Sequence, residues 1–84
     1  MHYVYIIKSL EFPKRIYVGS TEDLVVRLKE HNSGYSFHTA KYRPWELMVY
    51  LVFKNKTDAI SFEKYLKSGS GRVLVAKRLL GNKG

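Results

Sequence analysis

Two short tyrosine-bearing stretches, Tyr3-Val4-Tyr5-Ile6-Ile7 and Ile16-Tyr17-Val18-Gly19, constrain the fold most. β-Branched and aromatic residues dominate both, and neither shows a helical period, so both read as strands. Between them lies Leu10-Glu11-Phe12-Pro13-Lys14, where Pro13 favours a turn. The pair reads as an antiparallel hairpin. Alternation puts Tyr3, Tyr5 and Ile7 on one face of the first strand. A register centred near Glu11 sets Tyr5 and Tyr17 nearly opposite each other on that face, unless a bulge intervenes. Two neighbouring phenols suit a reactive site. They also suit an amphipathic strand pair whose hydroxyls reach water.

Ser20-Thr21-Glu22-Asp23 reads as a helix start, with Ser20 and Asp23 spaced as in a capping box. The helix is expected to run to about Asn32. Asn32-Ser33-Gly34 is a stop, because Gly34 can take the left-handed conformation. Leu24, Arg27, Leu28 and His31 recur at helical spacing on one stripe. Arg27 therefore points toward the sheet, either into a site or with its stem packed and its head in water. His31 is either a site residue or a satisfied interfacial histidine. Residues 35–44 form a loop in which Tyr35, Phe37 and Tyr42 alternate with His38, Lys41 and Arg43. That mixture can stack bases and neutralise phosphates. Alternatively, its aromatics pin the loop to the core.

Residues 46–54 read as a third strand, apolar enough to be covered on both faces. Thr57 is positioned to cap a second helix over residues 58–67. Ala59, Phe62, Glu63 and Leu66 form its apolar stripe, with Glu63 in the middle. An unpartnered buried carboxylate costs several kcal/mol, so an ion pair or a metal must compensate it. Ser68-Gly69-Ser70-Gly71 breaks the helix. Residues 72–80 form a last short helix carrying Arg72, Lys77 and Arg78, and residues 81–84 should fray. The order β-β-α-β-α-α makes an α+β fold: a small three-stranded antiparallel sheet flanked by helices.

Eighty-four residues fit one domain, residues 1–84, with one modest core. The formal charge of +8 favours a polyanionic partner, either nucleic acid or an acidic membrane surface. The absence of cysteine excludes disulfides and cysteine-ligated zinc. The chain enters its first strand without a basic leader, and no apolar run approaches the roughly 18 residues of a membrane span. A soluble, cytoplasmic protein is expected, without a membrane partner.

Phenol, guanidinium, imidazole and carboxylate can thus converge over one sheet, a set that suits phosphodiester cleavage. Glu63 can hold one divalent cation whose other ligands are water and phosphate oxygen. Arg27 can bind the phosphate and stabilise developing charge. A tyrosine or His31 can take the proton from the attacking water. An unperturbed phenol titrates near pH 10, so a tyrosine base needs a nearby cation.

With Tyr3-Val4-Tyr5, Tyr17-Val18-Gly19, Arg27, His31 and Glu63 in order, the chain resembles the GIY-YIG nuclease family over essentially its whole length. Thr39-Ala40-Lys41-Tyr42-Arg43-Pro44 and Glu63-Lys64-Tyr65-Leu66-Lys67-Ser68-Gly69 look like the small stand-alone bacterial members related to the nuclease domain of UvrC. The resemblance implies a divalent-metal-dependent endonuclease that cuts DNA, using Mg²⁺ or Mn²⁺ on Glu63. Tyr5, Tyr17, Arg27, His31 and Glu63 would be catalytic. His38, Lys41, Arg43, Lys67 and Arg72 would bind the nucleic-acid backbone. DNA is the expected substrate, with RNA kept open. No small-molecule cofactor is expected, and the state is expected to be monomer or weak dimer. The departures are Tyr3 for the glycine of GIY and valine for isoleucine in both motifs. Many larger members carry an asparagine after the glutamate, which has no clear counterpart here; Lys67 falls in that stretch. Low sequence specificity follows, because the larger members append a separate DNA-binding domain. A non-catalytic nucleic-acid-binding module of the same fold is the alternative, and a small protein-interaction domain a third reading.

Overall fold

The computed structural model describes residues 1–79. Strand β1 spans His2–Ser9 and β2 spans Ile16–Thr21. They pair antiparallel with Tyr5 opposite Gly19 and Ile7 opposite Tyr17. The turn therefore centres on Phe12, one residue beyond the expected Glu11. Moving the centre by one moves the pairing by two, so Tyr17 keeps its face and lies diagonal to Tyr5.

Strand β3 spans Trp45–Phe53 and pairs antiparallel with β1, giving the sheet order β2-β1-β3. The hairpin's first strand is thus central. Val4, Tyr5, Ile6 and Ile7 are all buried, whichever face they point to. The expectation that the third strand is covered on both faces fails: β3 is an edge, and Tyr50 and Val52 are each 50% exposed. Its continuous apolar run has another cause. A bulge opposite Ile6 and Ile7 pairs them with Val49 and Leu47, leaving Met48 as the extra residue. Leu47 and Val49 therefore serve opposite faces of the sheet.

Helix α1 spans Leu24–Ser33. Asp23, not Ser20, is its N-cap, accepting a hydrogen bond from the Val26 amide at 3.1 Å. Gly34 ends it with φ 83°, as expected. A three-residue 3-10 turn, Ala40–Tyr42, interrupts the long loop. Helix α2 spans Lys56–Lys67, with Asn55 rather than Thr57 at its N-cap. The Ser-Gly-Ser-Gly stretch does not simply break the chain. Ser68 caps a third helix, α3, spanning Gly69–Leu74, which continues as a π turn over Val75–Leu79. Leu80 and the expected fraying of residues 81–84 lie outside the described residues.

The two faces of the sheet bury different sets. Val4, Ile6 and Val18 pack with Ala59, Phe62 and Leu66 of α2 and with Leu74 and Val75. Tyr5, Ile7 and Trp45 pack with Tyr17, Leu47 and Leu24 and Leu28 of α1. Helices α1 and α2 therefore lie on opposite faces. Among the described residues no helix is long and apolar enough to cross a membrane.

Candidate active site

The site begins on the α1 face, where β2 runs along the sheet edge. Gly19 lies beneath Tyr5: a Cβ at Gly19 would sit 2.5 Å from the Tyr5 phenolic oxygen and 3.0 Å from the Tyr17 ring. The missing side chain lets the Tyr5 ring lean across its neighbouring strand. The Tyr5 and Tyr17 rings lie 6.4 Å apart, with Tyr5 buried and Tyr17 half-buried.

Helix α1 brings His31 over this pair. Its ring lies 5.7 Å from Tyr5 and 5.1 Å from Tyr17 and is fully buried. Its Nε2 is 2.7 Å from the Tyr5 hydroxyl, and its Nδ1 is 2.7 Å from the Thr39 hydroxyl. One helical turn earlier, Arg27 donates to Glu30 at 2.8 Å, and its charge bears on the Tyr5 phenol. The Arg27 side chain is about one-third exposed, so its guanidinium reaches solvent. Asn32 fixes the C-terminal end of the helix. Its side chain accepts from the Trp45 amide at 2.5 Å and donates to the Trp45 carbonyl at 3.2 Å.

Glu63 does not join this face directly. It rises from α2 on the opposite side of the sheet, so the expected convergence of all five residues over one face is incorrect. The reason is the edge position of β2. Ser20, alternating onto the α2 face with Val18, donates to Glu63 Oε1 at 2.7 Å. Lys67, one turn after Glu63, holds Oε2 at 2.7 Å and places its ammonium 5.6 Å from the Tyr17 ring centre. The groups thus form one connected track around the β2 edge: His31, Tyr5, Tyr17, Lys67, Glu63. Glu63 also sits at the margin of its apolar stripe, where an ion pair and a hydroxyl compensate it.

Environment separates the protonation states. Burial pushes the Tyr5 phenol up to about 12, against the opposing pull of Arg27. Burial, helped by the Arg27 charge and opposed by Glu30, pulls the His31 imidazole down to about 4. Its hydrogen bond to Glu30 raises Arg27 further. Burial pushes the Glu63 carboxyl up, but the hydrogen bonds from Lys67 and Ser20 outweigh it and hold the group below its ordinary range. At neutral pH the site contains a neutral phenol, a neutral imidazole, a guanidinium and a carboxylate.

Among the described residues no three His, Cys, Asp or Glu side chains cluster as a metal site. Glu63 offers one ionised carboxylate beside a hydroxyl. These are hard oxygen donors, and they fit a single Mg²⁺-like ion that keeps most of its water.

The expected backbone-binding residues divide into two groups. Lys67 and Arg72 line a cleft of about 470 Å³ along β2, together with Lys14, Arg15, Tyr17 and the apolar Ile16, Val18, Leu66 and Val75. Lys41, Arg43 and the exposed His38 lie apart from it, on the loop after α1. Tyr42 joins the two groups: Arg15 stands 4.8 Å from its ring centre and Lys41 5.6 Å. Tyr42 also packs on Phe12 and Trp45, whereas Tyr35 and Phe37 are 82% and 89% exposed. The loop's aromatics therefore split between core and surface. Sequence reading missed Lys14, Arg15, Ser20, Glu30 and Thr39. The parity of Ser20 with Val18 could have found Ser20, and nothing local marks Thr39.

Residues 1–77 match the family model described as the GIY-YIG catalytic domain. The chain belongs to the GIY-YIG family. Small bacterial proteins share much of this GIY-YIG chain. The UPF0213 protein CPE1444 of Clostridium perfringens is 38% identical over 68 residues, covering 80% of this chain and 71% of that one. A UPF0213 protein of Streptococcus pyogenes is 37% identical over 71 residues, covering 83% and 75%. The structure-specific endonuclease subunit SLX1 of Candida dubliniensis is 39% identical over 71 residues. That alignment covers 76% of this chain and 25% of SLX1, so the likeness spans about a quarter of the longer protein. Among solved structures, the UPF0213 protein BH0048 of Bacillus halodurans superposes with a TM-score of 0.55 at 30% identity, covering 93% of this chain and 85% of that one.

Proposed function

We propose that this GIY-YIG domain is a divalent-metal-dependent endonuclease that hydrolyses DNA phosphodiester bonds with low sequence specificity. Its preference would be for branched or partly single-stranded forms. The observation that carries the reading is the track around the β2 edge. An imidazole, two phenols, an ammonium and an ionised carboxylate follow one another along it, and its Tyr17 and Lys67 also line the basic cleft. The likeness to a structure-specific endonuclease subunit supports the substrate class.

Glu63, with Ser20 beside it, would hold the cation, Mg²⁺ or Mn²⁺, which when bound supplies Lewis-acid activation of the phosphate. Lys67 holds Glu63 Oε2 in place, so a cation would share the carboxylate with that ion pair or displace it. Arg27 reaches solvent and is built to take a phosphate oxygen and stabilise the charge that develops there. Tyr5 is buried and neutral, so it orients its neighbours rather than acting as the base. Tyr17 is accessible beside the Lys67 ammonium, and we assign it to the attacking water. The apolar floor and cationic walls of the cleft suit a single strand leaving the reacting phosphate.

The deciding experiment is a cleavage assay over flap, branched, duplex and single-stranded DNA and RNA, with Mg²⁺ or Mn²⁺ and with excess chelator. Wild-type protein should cut only with metal. Glu63→Gln should lose cleavage while keeping its fold and DNA affinity. Cleavage in chelator, or by Glu63→Gln at the wild-type rate, would remove the single-metal mechanism. Salt-dependent binding without any cleavage would make the domain a nucleic-acid-binding module instead.

A further inference from the structure

Thr39 has no assigned role, yet its side chain is 1% exposed and touches the buried imidazole. It is held from both sides: its carbonyl accepts from the Trp45 indole at 2.9 Å, and its hydroxyl lies 3.4 Å from the Ser36 carbonyl. The hydroxyl has one proton to give, and two groups compete for it, His31 Nδ1 and the Ser36 carbonyl.

The choice follows from the other end of the chain of hydrogen bonds. Tyr5 is buried, so its hydroxyl proton must also find an acceptor. Suppose His31 carried its proton on Nε2. The imidazole would then donate to Tyr5, and no hydrogen-bond acceptor among the described residues would remain for the phenolic proton. With the proton on Nδ1, every group is satisfied. Tyr5 donates to the bare Nε2 of His31. His31 Nδ1–H donates to Thr39, and Thr39 donates to the Ser36 carbonyl. A neutral ring agrees with the groups around it: Tyr5 and Tyr17 from the sheet, Arg27 and Glu30 from its own helix, and Thr39 from the loop.

We infer that Thr39 is a positioning residue whose hydroxyl fixes the Nδ1–H tautomer of His31 and with it the direction in which the Tyr5 hydroxyl donates. The loop after α1 thereby sets the hydrogen-bond polarity of the buried phenol in the site. This deepens the nuclease reading and rests on it for its kinetic consequence, but the tautomer is testable without any cleavage.

The first measurement is the ¹⁵N spectrum of the imidazoles in wild-type protein near pH 7. The proton of His31 is expected on Nδ1, with Nε2 bare; a protonated Nε2 would overturn the inference whether or not the protein cuts DNA. The second uses Thr39→Val, which keeps the shape and removes the hydroxyl, and Thr39→Ser, which keeps it. Thr39→Val should move His31 toward Nε2–H and lower kcat by roughly 10- to 100-fold with little change in KM. Thr39→Ser should restore both. A Thr39→Val protein that keeps both the Nδ1–H signature and the wild-type rate would overturn the role, as would a shifted tautomer with an unchanged rate. If Thr39→Val does not fold, the wild-type spectrum and Thr39→Ser still decide. If no form of the protein cleaves, the nuclease reading fails while the spectrum alone judges the tautomer.

Discussion

The phenol of Tyr5 lies directly over Gly19 of the neighbouring strand, with no room for a Cβ between them. The glycine is therefore a clearance for the site, because β2 otherwise has ordinary strand geometry with no positive φ at this position. Gly19→Ala should push the Tyr5 hydroxyl off His31 Nε2 and cost about 1–3 kcal/mol through overpacking. Urea denaturation and the His31 imidazole resonances would show it. A variant with wild-type stability and unchanged resonances would mean that the ring slides aside freely.

His31 makes stability depend on pH in a definite direction. The unfolded chain takes a proton there near pH 6.5, whereas the folded protein resists until about 4. The unfolded state thus binds more protons between these values, so stability is fully present above about 6.5 and is lost as pH falls through the window. The shift corresponds to roughly 3 kcal/mol. Denaturation midpoints measured from pH 7.5 to 4 should fall for wild type and flatten for His31→Gln. Parallel curves for the two proteins would assign the acid sensitivity elsewhere.

The basic residues should separate by location. Lys14, Arg15 and Arg72 line the cleft, and Lys41 and Arg43 lie outside it. Replacing Lys14 and Arg72 by alanine should weaken single-stranded oligonucleotide binding more than duplex binding. The salt slope should fall by roughly 0.7 for each phosphate that is no longer neutralised. Lys41→Ala with Arg43→Ala should weaken duplex and single strand about equally. Fluorescence anisotropy over a salt series distinguishes these outcomes, and identical effects from both pairs would argue against a single-strand path through the cleft.

Asn32 joins α1 to the start of β3 through both backbone groups of Trp45. Asn32→Ala leaves those groups without that partner and should cost about 1–3 kcal/mol. The change in thermal or urea midpoint checks this, and a shift within error would show that solvent replaces the amide readily.

Much of the frame was readable from local signals. Tyrosines and β-branched residues on either side of Pro13 specify the hairpin, and an even shift of its pairing leaves the facing residues unchanged. Gly34 ends α1 where its left-handed freedom suggested. Ser20 and Asp23 both fit a cap motif at the start of α1, and only the pairing of Ser20 into β2 excludes Ser20. Asn55 and Thr57 are likewise both capping residues, and α2 starts after Asn55.

Local sequence determined the periodicity of each element and which side chains each could bury. It also determined the residue types the site contains. Tertiary structure decided which strand is central: β3 pairs beside β1, where the bulge at Met48 lets Leu47 and Val49 serve the two cores. That choice leaves β2 on the edge, sends α1 and α2 to opposite faces, and makes Glu63 reach the tyrosines around the edge through Ser20 and Lys67. It also brings Thr39 under His31, a contact between residues eight apart across a helix end. Helical and strand periods describe how one element faces its neighbours. Which neighbours they are depends on burying both faces of one sheet at once, and that is a property of the whole chain.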